Sequence, residues 1–196
     1  MNKLTIDTAE ALALQLRSKL GLGTHEPINA KTLIRQLDYM LHYRPLSESL
    51  LGMSLKSPDS LYKFILINSN TTRGRQHFTI AHEIYHLEFE EDIYPHYNRT
   101  DREVNVSERN ADMFACALLM PRQGIISKIP ASELASKNIS IETCLTLGQL
   151  YGVSHSTLVF RLKELKLITQ EYEQKLMQIK VKQEAYYRGF DLSLYN

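Results

Sequence analysis

The chain has 196 residues and a formal net charge of +1, so overall charge draws it to neither nucleic acid nor an anionic membrane. Its 43% hydrophobic and 23% charged residues suit a soluble globular protein with one good core, or one domain and a small appendage. Two cysteines give no disulfide framework and no apolar run reaches the length of a membrane span, so a cytoplasmic chain is expected.

Asp7-Thr8-Ala9-Glu10 reads as a capping box, and the stripe Ala9, Leu12, Ala13, Leu16 and Leu20 predicts a first helix ending at Gly21. Asn29 caps a second short helix through about Asp38, with Leu33, Ile34 and Leu37 facing inward. Leu41 to Arg44, Gly52 to Lys56 and Tyr62 to Asn68 are short runs between Pro, Ser and Gly signals, as in a small antiparallel sheet. Of these, the Leu51 to Leu55 segment is placed nearest the cleft described next.

His77 to Leu87 contains His-Glu-x-x-His as His82-Glu83-Ile84-Tyr85-His86. On a helix, residues four apart share a face, so both imidazoles can aim at one point with Glu83 beside it. That is the spacing of a zinc peptidase: the histidines bind Zn²⁺, and the glutamate takes a proton from the metal-bound water. A chance match on a solvated helix fits poorly, because Phe78, Ala81, Ile84, Tyr85, Leu87 and Phe89 spread apolar groups around the helix. Buried imidazoles and a carboxylate need partners, and a metal supplies one.

Two histidines leave a zinc site one protein ligand short of three plus water. A second helix, beginning near Ser107, offers Glu108 as the third ligand and Asp112, four residues on, as the acceptor for the outer N–H of a ligand histidine. The plainer reading of Glu108 is a helix N-terminal charge favoured by the macrodipole. Between the two motif helices, Glu88 to Arg102 reads as an irregular loop in which Tyr94, His96 or Tyr97 could donate to an oxyanion.

The phrases Arg75-Gln76-His77-Phe78-Thr79-Ile80-Ala81-His82-Glu83-Ile84-Tyr85-His86 and Glu108 through Phe114-Ala115-Cys116-Ala117-Leu118-Leu119-Met120-Pro121 together resemble the ImmA/IrrE family of metallopeptidases. Looser similarity runs from about Ala9 to Leu167. The resemblance implies a gluzincin-like endopeptidase whose substrate is a transcriptional repressor, cut to relieve repression in a stress response or on a mobile element. Asn110 stands where many members carry a second glutamate, and Tyr85 replaces a common glycine.

After Pro121, a short helix starts at Pro130-Ala131-Ser132-Glu133. Ser140 to Tyr151, Gly152-Val153-Ser154 and Thr157 to Leu165 then follow the spacing of a helix-turn-helix. A DNA reader would turn Ser154, His155, Ser156 and Arg161 toward a groove. Arg161, Lys163 and Lys166, with Glu164 among them, are a thin basic supply, so direct DNA binding is not expected and the pair reads as a cover for the catalytic domain. Thr169 to Gln183 reads as one polar helix before a tail rich in aromatics, and Cys116 and Cys144 read as small buried hydrophobes.

The expected fold is α+β: a small antiparallel sheet on helices bearing the zinc site in residues 1–125, then a helix-turn-helix-like subdomain in residues 126–196. The expected ligands are His82, His86 and Glu108, with Glu83 catalytic and a helix-turn-helix repressor as partner. A DNA-binding regulator and a non-proteolytic partner-binding module are the alternatives.

Overall fold

A computed structural model of the chain describes residues 2–59, 61–90, 95–99 and 106–195, apart from the side chains of His96 and Arg99. Helix α1 spans Ile6–Lys19, and its N-cap is Thr5 rather than Asp7: the Thr5 hydroxyl accepts from the Thr8 amide at 3.1 Å. Asp7 instead lies in the first turn, where its charge opposes the positive end of the helix dipole. Helix α2 (Ala30–Gln36) is capped by Asn29 and buries Leu33 and Ile34.

Strands β1 (Met40–Arg44), β2 (Leu50–Lys56), β3 (Lys63–Asn68) and β4 (His96–Arg99) form one sheet in the order β1-β3-β2-β4. β2 pairs antiparallel with β3 and with β4, as expected, whereas β1 runs parallel to β3. The chain reverses twice between β1 and β3, and β3 inserts between β1 and β2, so the outer pair points the same way. Buried Asn68 fixes this crossing by using all of its side-chain amide: it donates to Ser47 O (2.9 Å) and Leu50 O (2.8 Å) and accepts from the Leu46 and Asn70 amides (3.1 and 2.9 Å). β4 falls inside the stretch expected to be irregular. Its four residues are too few to show an alternation, and pairing to β2 makes the strand.

The sheet lies against α3 (Arg73–Phe89), whose residues Thr79 to Leu87 are all buried. β2 presents Gly52, Ser54 and Lys56 to the interior at the strand period of two. Gly52 is required by close approach: a Cβ there would sit 2.7 Å from Thr79 Cγ2 and 2.9 Å from Leu66 O. On its other side α3 packs against α4 (Val106–Leu119), which is lined by Ala111, Ala115 and Phe114 and packs in turn on α1.

Two buried arginines hold the C-terminal end of α4. Arg17 Nε donates to Leu118 O and Arg161 Nε to Met120 O, each at 3.1 Å, where the helix dipole favours cations. After α5 (Arg122–Ile126) and α6 (Ala131–Ser136), α7 (Ile141–Tyr151) and α8 (His155–Glu164) form the expected helix pair. Gly152 turns the chain at φ +64°, and Ser154 caps α8 by accepting from the Thr157 amide. The stretch expected as one final helix is two, α9 (Gln170–Met177) and α10 (Val181–Tyr187), separated at Gln178 to Lys180. One continuous apolar core runs from Ala9 to Leu176, and among the described residues no helix is long and apolar enough to cross a membrane.

Arg161 does not face outward. It is wholly buried and pairs with Glu10 through Nη2 and with Glu164 through Nη1 (2.5 Å), joining α8 to α1. His155 is buried too, its Nε2 2.9 Å from Leu176 O. Of the four residues that a groove reader would expose, these two are committed to packing.

Candidate metal centre

α3 and α4 cross so that His82, His86 and Glu108 meet, with one ligand-type atom from each lying within 4.8 Å of the others. The two Nε2 atoms are 3.1 Å apart, and the Glu108 oxygens are 3.6 Å from His82 Nε2 and 3.8 Å from His86 Nε2. All three side chains are buried. For comparison, neighbouring nitrogens of a tetrahedral Zn²⁺ are about 3.3 Å apart, since Zn–N is about 2.05 Å.

The outer nitrogens explain why these groups are poised for a cation. His82 Nδ1 lies 2.7 Å from Asp112 Oδ1, and His86 Nδ1 lies 2.7 Å from Glu90 Oε2. A carboxylate can only accept, so each Nδ1 donates and each Nε2 presents a lone pair. Two lone pairs and a carboxylate thus converge in a buried space, which a metal ion or a proton can reconcile. In the metal-free chain a proton does so: burial alone would lower the His82 pKa, but hydrogen bonds to Asp112 and Glu108 outweigh it and hold the pKa at about 9. The donor set, two imidazoles and one carboxylate, fits a metal of the zinc type.

Glu83 lies on the same helix, turned toward the sheet. Its Oε2 accepts from Ser54 Oγ of β2 at 2.6 Å, and the carboxyl is fully buried. β2 is therefore the strand beside the candidate centre, as expected of Leu51 to Leu55, yet both its edges are occupied by β3 and β4. Of the suggested oxyanion donors, Tyr94 and the His96 side chain lie outside the described residues, and Tyr97 is exposed on β4.

Asn110 and Tyr85, the two departures from the family phrase, are hydrogen-bonding neighbours. Asn110 Oδ1 accepts from the Leu4 amide (2.8 Å) and its Nδ2 donates to Asn2 O (2.9 Å), tying the N-terminal segment to α4. Tyr85 is buried among Phe89 and Phe114 and meets the His86 ring edge-on, with centroids 5.7 Å apart. Sequence reasoning missed Glu90, Ser107 and Ser54. Glu90, the C-cap of α3, accepts from Ser107 Oγ (2.5 Å) and its carbonyl from Lys56 Nζ, so β2 and α4 both fix the acid that orients His86. The signal for Glu90 was present, because it stands four residues after His86.

The IrrE N-terminal-like domain family matches residues 34–163, a span that holds the sheet, both motif helices and the α7–α8 pair. A comparison with curated proteins gives no match. With two thirds of its length matched, the chain belongs to the IrrE N-terminal-like family of M78 peptidases, a metallopeptidase-type family.

Proposed function

We propose that the chain is a zinc endopeptidase in which His82, His86 and Glu108 hold the metal and Glu83 moves the proton. The observation that carries this reading is the convergence of three buried acceptors whose outer hydrogen bonds to Asp112 and Glu90 leave both Nε2 lone pairs directed inward. Bound Zn²⁺ would supply Lewis acidity and a water acidified to a pKa of roughly 7. Glu83, fixed by Ser54, is the group that would take a proton from the attacking water and return it to the leaving amine. Asp112 and Glu90 keep the ligand rings in one tautomer and one orientation. Burial excludes bulk water from Glu90 and strengthens its contact with His86, whereas Asp112 stays about one third exposed.

A protein substrate would enter as an added strand. β2 has no free edge, so among the described residues the edge next to α3 that would receive a peptide is β4, where Tyr97 is exposed. The substrate class, a helix-turn-helix repressor, comes from the family resemblance. The test is incubation of the purified chain with candidate helix-turn-helix repressors, followed by mass spectrometry. Cleavage by wild type, slowed by ~10²–10⁴ in Glu83→Gln, is expected; cleavage at equal rates by both would remove Glu83 as the base.

A further inference from the structure

We propose that a cleft between β1, the N-terminal half of α3 and the α7–α8 turn is a second binding site, for a small carboxylate carried on an apolar body. The cleft encloses about 630 Å³, and none of the three candidate metal ligands lines it.

Its charge is one-sided. Lys31 and Arg73 line it and no carboxylate does. Lys31 Nζ sits 5.0 Å over the Tyr43 ring, which orients the ammonium by cation–π attraction. Asp191 is near enough to Arg73 for each to feel the other's charge, but neither Lys31 nor Arg73 has an ion-pair partner among the described residues. Ile80, Leu150 and Leu194 supply an apolar wall, which suits a carbon skeleton better than a bare inorganic anion.

The Tyr43 hydroxyl is the independent observation. Its oxygen is buried and has no hydrogen-bond partner among the described residues, although the ring belongs to an ordered strand. A buried hydroxyl left unpaired is a cost that phenylalanine would remove, so its presence points to a partner that comes and goes. The oxygen exposes almost no surface in the ligand-free chain, so a carboxylate beside Lys31 accepts from it only once a side-chain shift uncovers the hydroxyl. The site binds rather than converts: it holds no cysteine or carboxylate, and both nitrogens of His77 are engaged, Nε2 by the Ala30 amide and Nδ1 by Gly152 O, each at 2.9 Å.

The test is a titration of the full chain by amide NMR with benzoate, with neutral benzamide as its isostere and inorganic phosphate as the bare anion. Saturable shifts at Lys31, Tyr43 and Gly152 are expected with benzoate, weaker ones with phosphate and none with benzamide. Lys31→Met and Tyr43→Phe should each weaken benzoate by roughly ten- to a hundredfold, the range of one charge-assisted hydrogen bond. Ligand-free Tyr43→Phe should melt at or above the wild-type temperature, because the hydroxyl serves the ligand and not the fold. The proposal is overturned by absence of saturable benzoate shifts there, by an equal response to benzamide, by tighter binding of phosphate, by unchanged affinity in Lys31→Met, or by a lowered melting temperature in Tyr43→Phe.

Discussion

Ser54 holds one oxygen of Glu83, the proposed base, at 2.6 Å. Glu83→Gln keeps the shape of the side chain and removes its basicity, so metal content should persist while kcat for substrate cleavage falls by ~10²–10⁴. Ser54→Ala removes one hydrogen bond to a charged group, worth about 1.5–3 kcal/mol, so kcat should fall by roughly tenfold or more with metal content unchanged. A Ser54→Ala enzyme at full rate would show that Glu83 is held by other contacts. At this scale the sequence was informative where partners share a helix: His82 with His86, and Glu108 with Asp112, follow from a spacing of four. Glu90 obeys the same rule, but its place at the edge of an expected loop hides it. Ser54 was beyond reach, since it lies 29 positions from Glu83 on another element and nothing local marks it.

Helix ends and turns were legible because their signals are local: Asn29, Gly152 and Ser154 cap or turn where expected. Arg161 was misplaced because a charge on a helix reads as solvated unless its partner is known, and Glu10 lies 151 positions away. The consequence is measurable. A surface Arg161→Met would change stability by about 0.5 kcal/mol or less, whereas loss of this buried cation strands Glu10 and Glu164 and should cost about 3–5 kcal/mol by denaturant unfolding. His77 gives a second element-scale prediction, because it clips α3 to the start of α2 and to the α7–α8 turn. Desolvation lowers its pKa below 6.5, despite the opposing bond to Gly152, so the folded chain refuses a proton that the unfolded chain accepts. Its contribution is therefore present above pH 6.5 and lost as pH falls below it, at up to ~1.4 kcal/mol per pH unit. In metal-free protein, where no metal release intervenes, the stability difference between wild type and His77→Gln should shrink on acidification from pH 7 to pH 5. A constant difference would place the proton elsewhere.

Across the whole molecule, the α+β class follows from helical periodicity at both ends of the chain and short apolar runs between them. Sheet order did not, because the parallel β1–β3 pair depends on which strand inserts between two others, and that is decided by the buried bonds of Asn68. One core running from Ala9 to Leu176, cross-linked by Arg161 to Glu10, predicts that the helices after residue 125 unfold together with the sheet. Thermal unfolding of metal-free protein should show coincident midpoints by far-ultraviolet circular dichroism and by tyrosine fluorescence, the chain having no tryptophan. Two separated transitions would mean that the C-terminal helices fold on their own.

The proposed metal centre depends on all three scales: the spacing within α3, the crossing of α3 on α4 and the acids that meet both rings. The most direct measurement is zinc per chain by mass spectrometry for wild type and for Glu108→Ala, with folding of both verified by circular dichroism. About one zinc per wild-type chain, removable by chelator, and a marked loss in folded Glu108→Ala are expected. Folded wild-type protein that takes up no zinc, or a Glu108→Ala variant that holds as much as wild type, would contradict the assignment of His82, His86 and Glu108 as ligands.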